Sequence, residues 1–354
     1  MEIRNKLQME AVEKYQNRGI FLLAPRFGKI KTVFDLCNKK GWKNIKVIAP
    51  RTDIFEGWKI DKEKFNFNGN LTFSTTVGIK KEEVDNYDLV VADEIHEYST
   101  DELKALKKII GSNQCIGLTG TATHKTKEKI YQLVGMQVCH QYSIKQAVAD
   151  GILTDYKIFI HNVKLDNKYP YISTKKGLVT ENQRFNQLTW LKNKLENEEK
   201  STFFIDLKII SLLQNSIAKI QKTKELLNSN ERILVFCGTT ETADKLGIDV
   251  YHSKSKEKQI FDSFCKGGGN KHLATIKMMQ AGITILPINK GIINYMSGNP
   301  EDAAQKICRF LGYEYNNINK KAEIHVICSN TEFEQDRLKT ALMFFEEGKI
   351  KQLN

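Results

Sequence analysis

An aspartate and a glutamate stand side by side after an apolar run, Leu89-Val90-Val91-Ala92-Asp93-Glu94-Ile95-His96. A short run of this kind is how a buried parallel strand looks. The acids then fall at its carboxyl end, where α/β sheets present chemistry. Such neighbours can take different roles. Asp93 can hold a magnesium ion, and Glu94 can polarise a water for attack on a phosphoryl group. Acids also gather at a helix start for no chemical reason. A second run, Cys115-Ile116-Gly117-Leu118-Thr119-Gly120-Thr121-Ala122-Thr123, has the same build and ends in hydroxyls. A third, Leu22-Leu23-Ala24-Pro25-Arg26-Phe27-Gly28-Lys29-Ile30-Lys31-Thr32, places Gly28-Lys29 between a strand pattern and a helical one. Amides at a helix start face an anion and the lysine neutralises it, which suits a phosphate chain.

Positioning these groups requires alternating strands and helices. Strand patterns occur at 19–24, 45–49, 71–75, 89–92 and 115–118, with a helical pattern at 31–39. This alternation predicts a parallel sheet covered on both faces. Residues 183–230 are polar and lack strand runs, and they read as helices, partly a mobile insertion. Alternation resumes at 232–236, 251, 273–278, 291–295 and 323–328. The chain therefore divides into two α/β halves, 1–152 and 153–354, with a hinge at 151–156. Gly267-Gly268-Gly269 lacks a following Gly-Lys and reads as a loop.

The chain has 354 residues, 41% hydrophobic and 27% charged, enough for two globular cores. Its formal charge of +12 favours a polyanionic partner, nucleic acid before a membrane surface. The seven cysteines are widely spaced, with no C-x-x-C pair for zinc or redox chemistry. Most sit in apolar runs, as in a reducing compartment. No signal-like start and no membrane-length apolar run is seen, so the expectation is a cytoplasmic protein.

Taken together, DEIH at 93–96 and LTGTAT at 118–123 resemble motifs II and III of the DExH branch of superfamily 2 helicases. The rest of the chain is similar at weaker points. Gly28-Lys29 resembles motif I, although Ile30 stands where the family has a metal-binding hydroxyl. Thr32 lies two residues on, about 200° around a helix, at roughly 100° per residue. A second register, Lys31-Thr32, restores the hydroxyl but puts Ile30 where a glycine belongs; Lys29 is the preferred phosphate lysine. Gln8 resembles the adenine-reading glutamine. Pro50-Arg51-Thr52 resembles motif Ia, with Trp58 near a familiar aromatic, and Thr75-Thr76 falls near motif Ib. Residues 232–246 resemble motif IV, and 274–284 motif V with Gly282 in place. Gln305 and Arg309 match motif VI, whereas Cys308 and Gly312 replace its glycine and last arginine. The layout looks closest to compact phage and restriction-type DNA helicases.

The resemblance implies tandem RecA-like domains with ATP and Mg2+ in a cleft between them. It assigns phosphate binding to Lys29, metal binding to Asp93 and water activation to Glu94. His96 and Thr119, Gly120 and Thr121 would couple nucleotide state to strand binding, and Arg309 would act as an arginine finger beside Gln305. Pro50, Arg51, Thr52, Thr75 and Thr76 would contact phosphates of a single-stranded or branched DNA. The expectation is a monomeric ATP-dependent helicase or translocase, with a possible loading partner protein. Two other readings stay open: a non-hydrolysing nucleic-acid binding module, motivated by Ile30 and Gly312, and an RNA helicase.

Overall fold

The computed structural model describes residues 2–252, 258–276, 288–312 and 320–353. They separate into two compact units, with the change between Thr154 and Asp155.

The first unit runs α1 (Glu2–Glu13), β1 (Arg18–Leu23), α2 (Lys29–Lys40), β2 (Asn44–Ala49), α3 (Asp53–Lys64), β3 (Asn70–Thr75), β4 (Leu89–Ala92), α4 (Thr100–Ile110), β5 (Gln114–Thr119), α5 (His124–Val134), β6 (Val138–Tyr142) and α6 (Ile144–Ala149). Its sheet is parallel throughout, in the order β3-β2-β4-β5-β1-β6. Both faces are covered, so β4 is buried at every position, as its unbroken apolar run requires. The helices supply the cover. Leu103, Leu106, Ile109 and Ile110 of α4 pack on Val90 and Cys115. Ser99 starts that helix with a capping box, its hydroxyl accepting from the amide of Glu102 while Glu102 accepts from the amide of Ser99. Parallel strands end on the same side, so the residues after β1, β2, β3, β4 and β5 all emerge along one edge.

The second unit begins with β7 (Asp155–Val163), the hairpin β8 (Ile172–Thr174) and β9 (Gly177–Val179), then α7 (Glu181–Asn197), α8 (Phe203–Gln214) and α9 (Ile217–Leu227). It continues with β10 (Ile233–Phe236), α10 (Thr240–Asp244), β11 (Asp249–Tyr251), α11 (Lys258–Cys265), β12 (His272–Thr275), β13 (Lys290–Ile293), α12 (Pro300–Cys308), β14 (Lys321–Ser329), α13 (Glu332–Ala341) and β15 (Ile350–Leu353). The main sheet, also parallel, is ordered β11-β12-β10-β13-β14-β7-β15. Two parallel sheets flanked by helices are the tandem RecA-like architecture expected from the sequence.

Some details differ from the sequence reading. Asp155 and Tyr156, read as part of a hinge, already belong to β7. The period-two signal was present: Tyr156, Ile158 and Ile160 are buried and Lys157 is exposed. β6 and β15 had no strand expectation, because their polar residues mask the pattern; β15 is an edge strand.

Glu181, at the start of α7, anchors the helical segment. Its buried carboxylate accepts from the amides of Asp166 and Ile217 and the hydroxyls of Tyr171 and Ser216. It thereby ties β7, the hairpin and the start of α9 to one point. The turn after α8 also fits tightly under β10. A Cβ on Gly238 would lie 2.7 Å from Gln214, so only glycine allows that approach.

The seven cysteines are free of disulfides. Among the described residues no helix is long and apolar enough to cross a membrane.

A buried histidine pair gives this unit a pH dependence. His161 Nε2 and His325 Nδ1 lie 2.8 Å apart on β7 and β14. Burial, then His161 and the charges of Lys290 and Lys222, push His325 down to about 3. Burial and Lys222 also lower His161, with Glu225 opposing. The unfolded chain therefore binds more protons than the folded one below about pH 6.5. Stability should fall as pH drops through that value, by up to about 1.4 kcal/mol per pH unit for each histidine. Urea unfolding at pH 7.5, 6.5 and 5.5 checks this, and His325→Gln should flatten the slope.

Candidate active site

The loop after β1 is shaped by two left-handed residues, Arg26 (φ 66°) and Gly28 (φ 98°). Gly28 caps α2, and a Cβ there would fall 2.4 Å from Gln8 Nε2. The left-handed backbone favours glycine here, and a side chain would displace the Gln8 amide. Gln8 is buried at 1% exposure, and its Nε2 donates to the carbonyl of Phe27 at 2.8 Å. Its Oε1 is buried with no hydrogen-bond partner among the described residues. Such an orphan acceptor on α1, beside the phosphate-type loop, fits a ligand amine.

Lys29 opens α2 and reaches the end of β4, where its Nζ lies 2.7 Å from Glu94 Oε1. Burial lowers the lysine's proton affinity, but Glu94 and Asp93 outweigh it, so the net shift is upward. Lys31 points elsewhere and pairs with Asp35 on its own helix at 2.6 Å. Thr32 is buried, and its hydroxyl donates to the carbonyl of Gly28 at 3.1 Å. Of the two lysines, then, Lys29 is the one that meets the acids.

Asp93 is 5% exposed, and its carboxylate is held on both sides. Oδ1 accepts from the amide of Glu94 at 2.9 Å, and Oδ2 from Trp58 Nε1 at 2.8 Å. Burial pushes this carboxyl up to about 6; Lys29 opposes and the charge of Glu94 adds. Glu94 itself sits at φ 48°, an uncommon conformation for a non-glycine residue and one found at functional turns.

His96 and the end of β5 complete the cluster. Thr119 Oγ1 donates to the carbonyl of Thr121 at 2.6 Å and lies 3.0 Å from His96 Nδ1. With its one proton spent, Thr119 accepts, which assigns the imidazole proton to Nδ1. The same nitrogen is 3.5 Å from Glu94 Oε2. A Cβ on Gly120 would lie 3.4 Å from Cγ of Pro25 in the β1 loop, so the two turns are close neighbours.

The other sequence candidates occupy different places. Arg51 pairs with Glu97 at 3.0 Å and with Asp53 at 3.4 Å. Pro50 is half-buried and Thr52 exposed at the start of α3. Thr75 Oγ1 accepts from the amide of Gly78, and Thr76, 2% exposed, donates to Glu102 at 2.6 Å. In the second unit Gln305 is half-buried on α12 and Arg309 caps its C-terminus. Cys308 is buried, and the carbonyl of Gly312 accepts from Lys320 at 3.1 Å. Gly282 lies outside the described residues.

Sequence reasoning missed the indole of Trp58 as a donor to Asp93. The available signal was a tryptophan in the helix that follows the Pro50–Thr52 stretch, Asp53–Lys64. Trp58 is fully buried, so it presents no face for stacking on a base.

Among the described residues no group of three or more His, Cys, Asp or Glu could hold a metal by itself. One well-held carboxylate beside a phosphate-type loop fits Mg2+, which keeps several waters and takes phosphate oxygens. Ile30 has no hydroxyl to join them, and that of Thr32 is bonded to Gly28.

Comparisons with known proteins bear on the family and the fold. The family model for the SWI2/SNF2 ATPase matches residues 59–199. The DNA 3'-5' translocase XPB2 of Sulfurisphaera tokodaii is 21% identical over 350 residues, 88% of this chain and 79% of the relative. Among solved structures, the fragment of an HsdR subunit of a type I restriction enzyme from Vibrio vulnificus YJ016 superposes with a TM-score of 0.62 at 15% identity, over 98% of this chain and 67% of that one. The ATP-dependent type ISP restriction-modification enzyme LlaBIII bound to DNA gives 0.60 at 15%, over 99% of this chain and 31% of its own.

The two lysines are separable by experiment. Lys29→Ala removes a charge-assisted contact of about 1.5–3 kcal/mol, so ATP affinity should fall by about 10- to 100-fold. Lys31→Ala removes a partly exposed pair on its own helix and should leave affinity nearly unchanged. Equilibrium binding of a fluorescent ATP analogue to both variants checks the pair.

Proposed function

We propose that this chain, a superfamily 2 helicase by its motifs, its family-model match and its fold, hydrolyses ATP to move along DNA. One observation carries the reading. At the carboxyl ends of β1, β4 and β5, Lys29 is bonded to Glu94, Asp93 lies beside them, and His96 rests on Thr119. A phosphate chain entering the β1 loop competes with Glu94 for the Lys29 ammonium. Glu94 is then released to take a proton from the attacking water. Asp93 would hold Mg2+, which would supply positive charge beside the phosphate oxygens. Gln8 Oε1 accepts from the exocyclic amine of adenine.

His96 bridges Glu94 and Thr119, so the state of the nucleotide reaches the 119–121 turn. Arg51, Thr52 and Thr75 contact the strand's phosphates, and Arg51 exchanges Glu97 for a phosphate oxygen as it does so. Thr76, already bonded to Glu102, supports the loop instead. Gln305 on α12 and Arg309, which caps it, are the motif VI residues of this reading. DNA is preferred over RNA because the similar proteins are a DNA translocase and an enzyme bound to DNA. The net charge of +12 suits either nucleic acid.

The second reading is a binding module that does not hydrolyse ATP. It is favoured by the hydroxyl of Thr32, which is bonded to its own helix start, next to an Ile30 that has none. Phosphate release with DNA, with RNA and with neither decides between them: DNA-stimulated release supports a translocase, and none under any condition supports the module.

Glu94→Gln should lower turnover by at least about 100-fold while retaining ATP binding, because the amide cannot accept the proton. Single-turnover hydrolysis beside nucleotide binding reads both quantities. Affinity for single-stranded DNA should fall steeply with salt and vary little with base sequence, as backbone contacts dictate. Titrations of mixed-sequence oligonucleotides across a salt series test this, and a flat plot of log K against log salt counts against it.

A further inference from the structure

We infer that Trp58 is the positioning residue for Asp93, fixing the carboxylate in the orientation that holds the metal. The inference rests on the functional reading above. Asp93 has one donor on each oxygen: the amide of Glu94 on Oδ1 and the indole of Trp58 on Oδ2. The carboxylate cannot rotate without breaking one of them. The backbone donor is set by the turn itself, so the indole is the side-chain constraint on the other side. An indole N–H is a donor only, and a buried one needs a partner; Asp93 is that partner.

The ring is itself locked. Phe34 of α2 meets it edge-on, at 5.7 Å between centroids and 82° between planes. Phe34 in turn stacks on Phe67 at 4.4 Å. Trp58 therefore joins three elements that do different things. They are α2 behind the phosphate loop, α3 behind the Pro50–Thr52 stretch, and the end of β4 with its acids. A shift of α3 would reach Asp93 through this one bond. Partners that orient a metal-holding group typically account for about 10- to 100-fold in metal affinity.

The test uses the full chain and a fluorescent ATP analogue, titrated with Mg2+. Trp58→Phe keeps an aromatic ring and removes the N–H. It should raise the Mg2+ concentration at half-saturation by about 10-fold or more and leave metal-free nucleotide binding unchanged. Phe34→Leu loosens the packing but keeps the N–H; it should lower the melting temperature without moving the Mg2+ half-saturation. A merely structural tryptophan would behave like Phe34. A folded Trp58→Phe protein with unchanged Mg2+ half-saturation overturns the assignment of Trp58 alone. Nucleotide binding to the unaltered chain that ignores Mg2+ overturns the metal role of Asp93 and this inference with it. Should Trp58→Phe fail to fold, the unaltered chain still answers through the indole 15N–1H resonances of Trp42, Trp58 and Trp190. The Trp58 signal should exchange far more slowly than that of exposed Trp190 and shift when Mg2+ and ADP are added. Exchange as fast as Trp190, or no shift, overturns the proposal.

Discussion

Two carboxylates placed next to each other at the end of a buried strand cannot both stay charged unless something compensates them. Asp93 and Glu94 are in that position, and the first unit is organised around the compensation. Lys29 supplies the cation, Trp58 and the amide of Glu94 supply donors, and His96 stands by the second acid. The compensation is incomplete. Asp93 is still pushed up to about 6 by burial and by Glu94. A site left short of positive charge in this way suits the proposed metal, and a lysine held by an acid suits the proposed exchange of that acid for a phosphate.

The sheet makes this concentration possible. Its strands run in one direction, so the ends of β1, β4 and β5 arrive together although 24, 93 and 119 are far apart in the chain. Burial of both faces explains why those strands read as plain apolar runs, and why every polar residue after them stands out. Helices behind the loops then lock the geometry: α2 presents Lys29 and Phe34, and α3 presents Trp58.

The second unit solves a different problem, that of attaching a helical segment with its own apolar cluster to a parallel sheet. Glu181 gathers four donors from three places onto one buried carboxylate. Lys219 of α9 is paired with Glu334 of α13 in the core, and Glu334 also accepts from the amide of Ser329 at the end of β14. Breaking a buried pair from one side leaves an uncompensated charge, so these contacts hold α9 and α13 in one place.

Local pattern was enough to read much of this protein. Apolar runs bounded by turns disclosed β1 to β5, and the residues at or past their ends pointed to Lys29, Asp93, Glu94, His96 and Thr119 as candidates, because in a parallel sheet chemistry follows a strand's end. Partnership was not legible. Local pattern favoured Lys29 over Lys31 only through the glycine before it; the tertiary structure shows their partners, because α2 turns one toward β4 and the other along its own surface. Trp58 was visible only as an aromatic after motif Ia, and its bond to Asp93 joins residues 35 apart in sequence. Thr76 looked like an available hydroxyl until folding brought Glu102 to it. The strands at the sheet margins, β6 and β15, escaped for a related reason: partly exposed strands keep polar residues and lose the apolar signature. Sequence by itself determined which residue types end the strands, because that depends on burial alone. Which of them meet was decided by the crossing of strands and helices, a long-range geometry that no local pattern encodes.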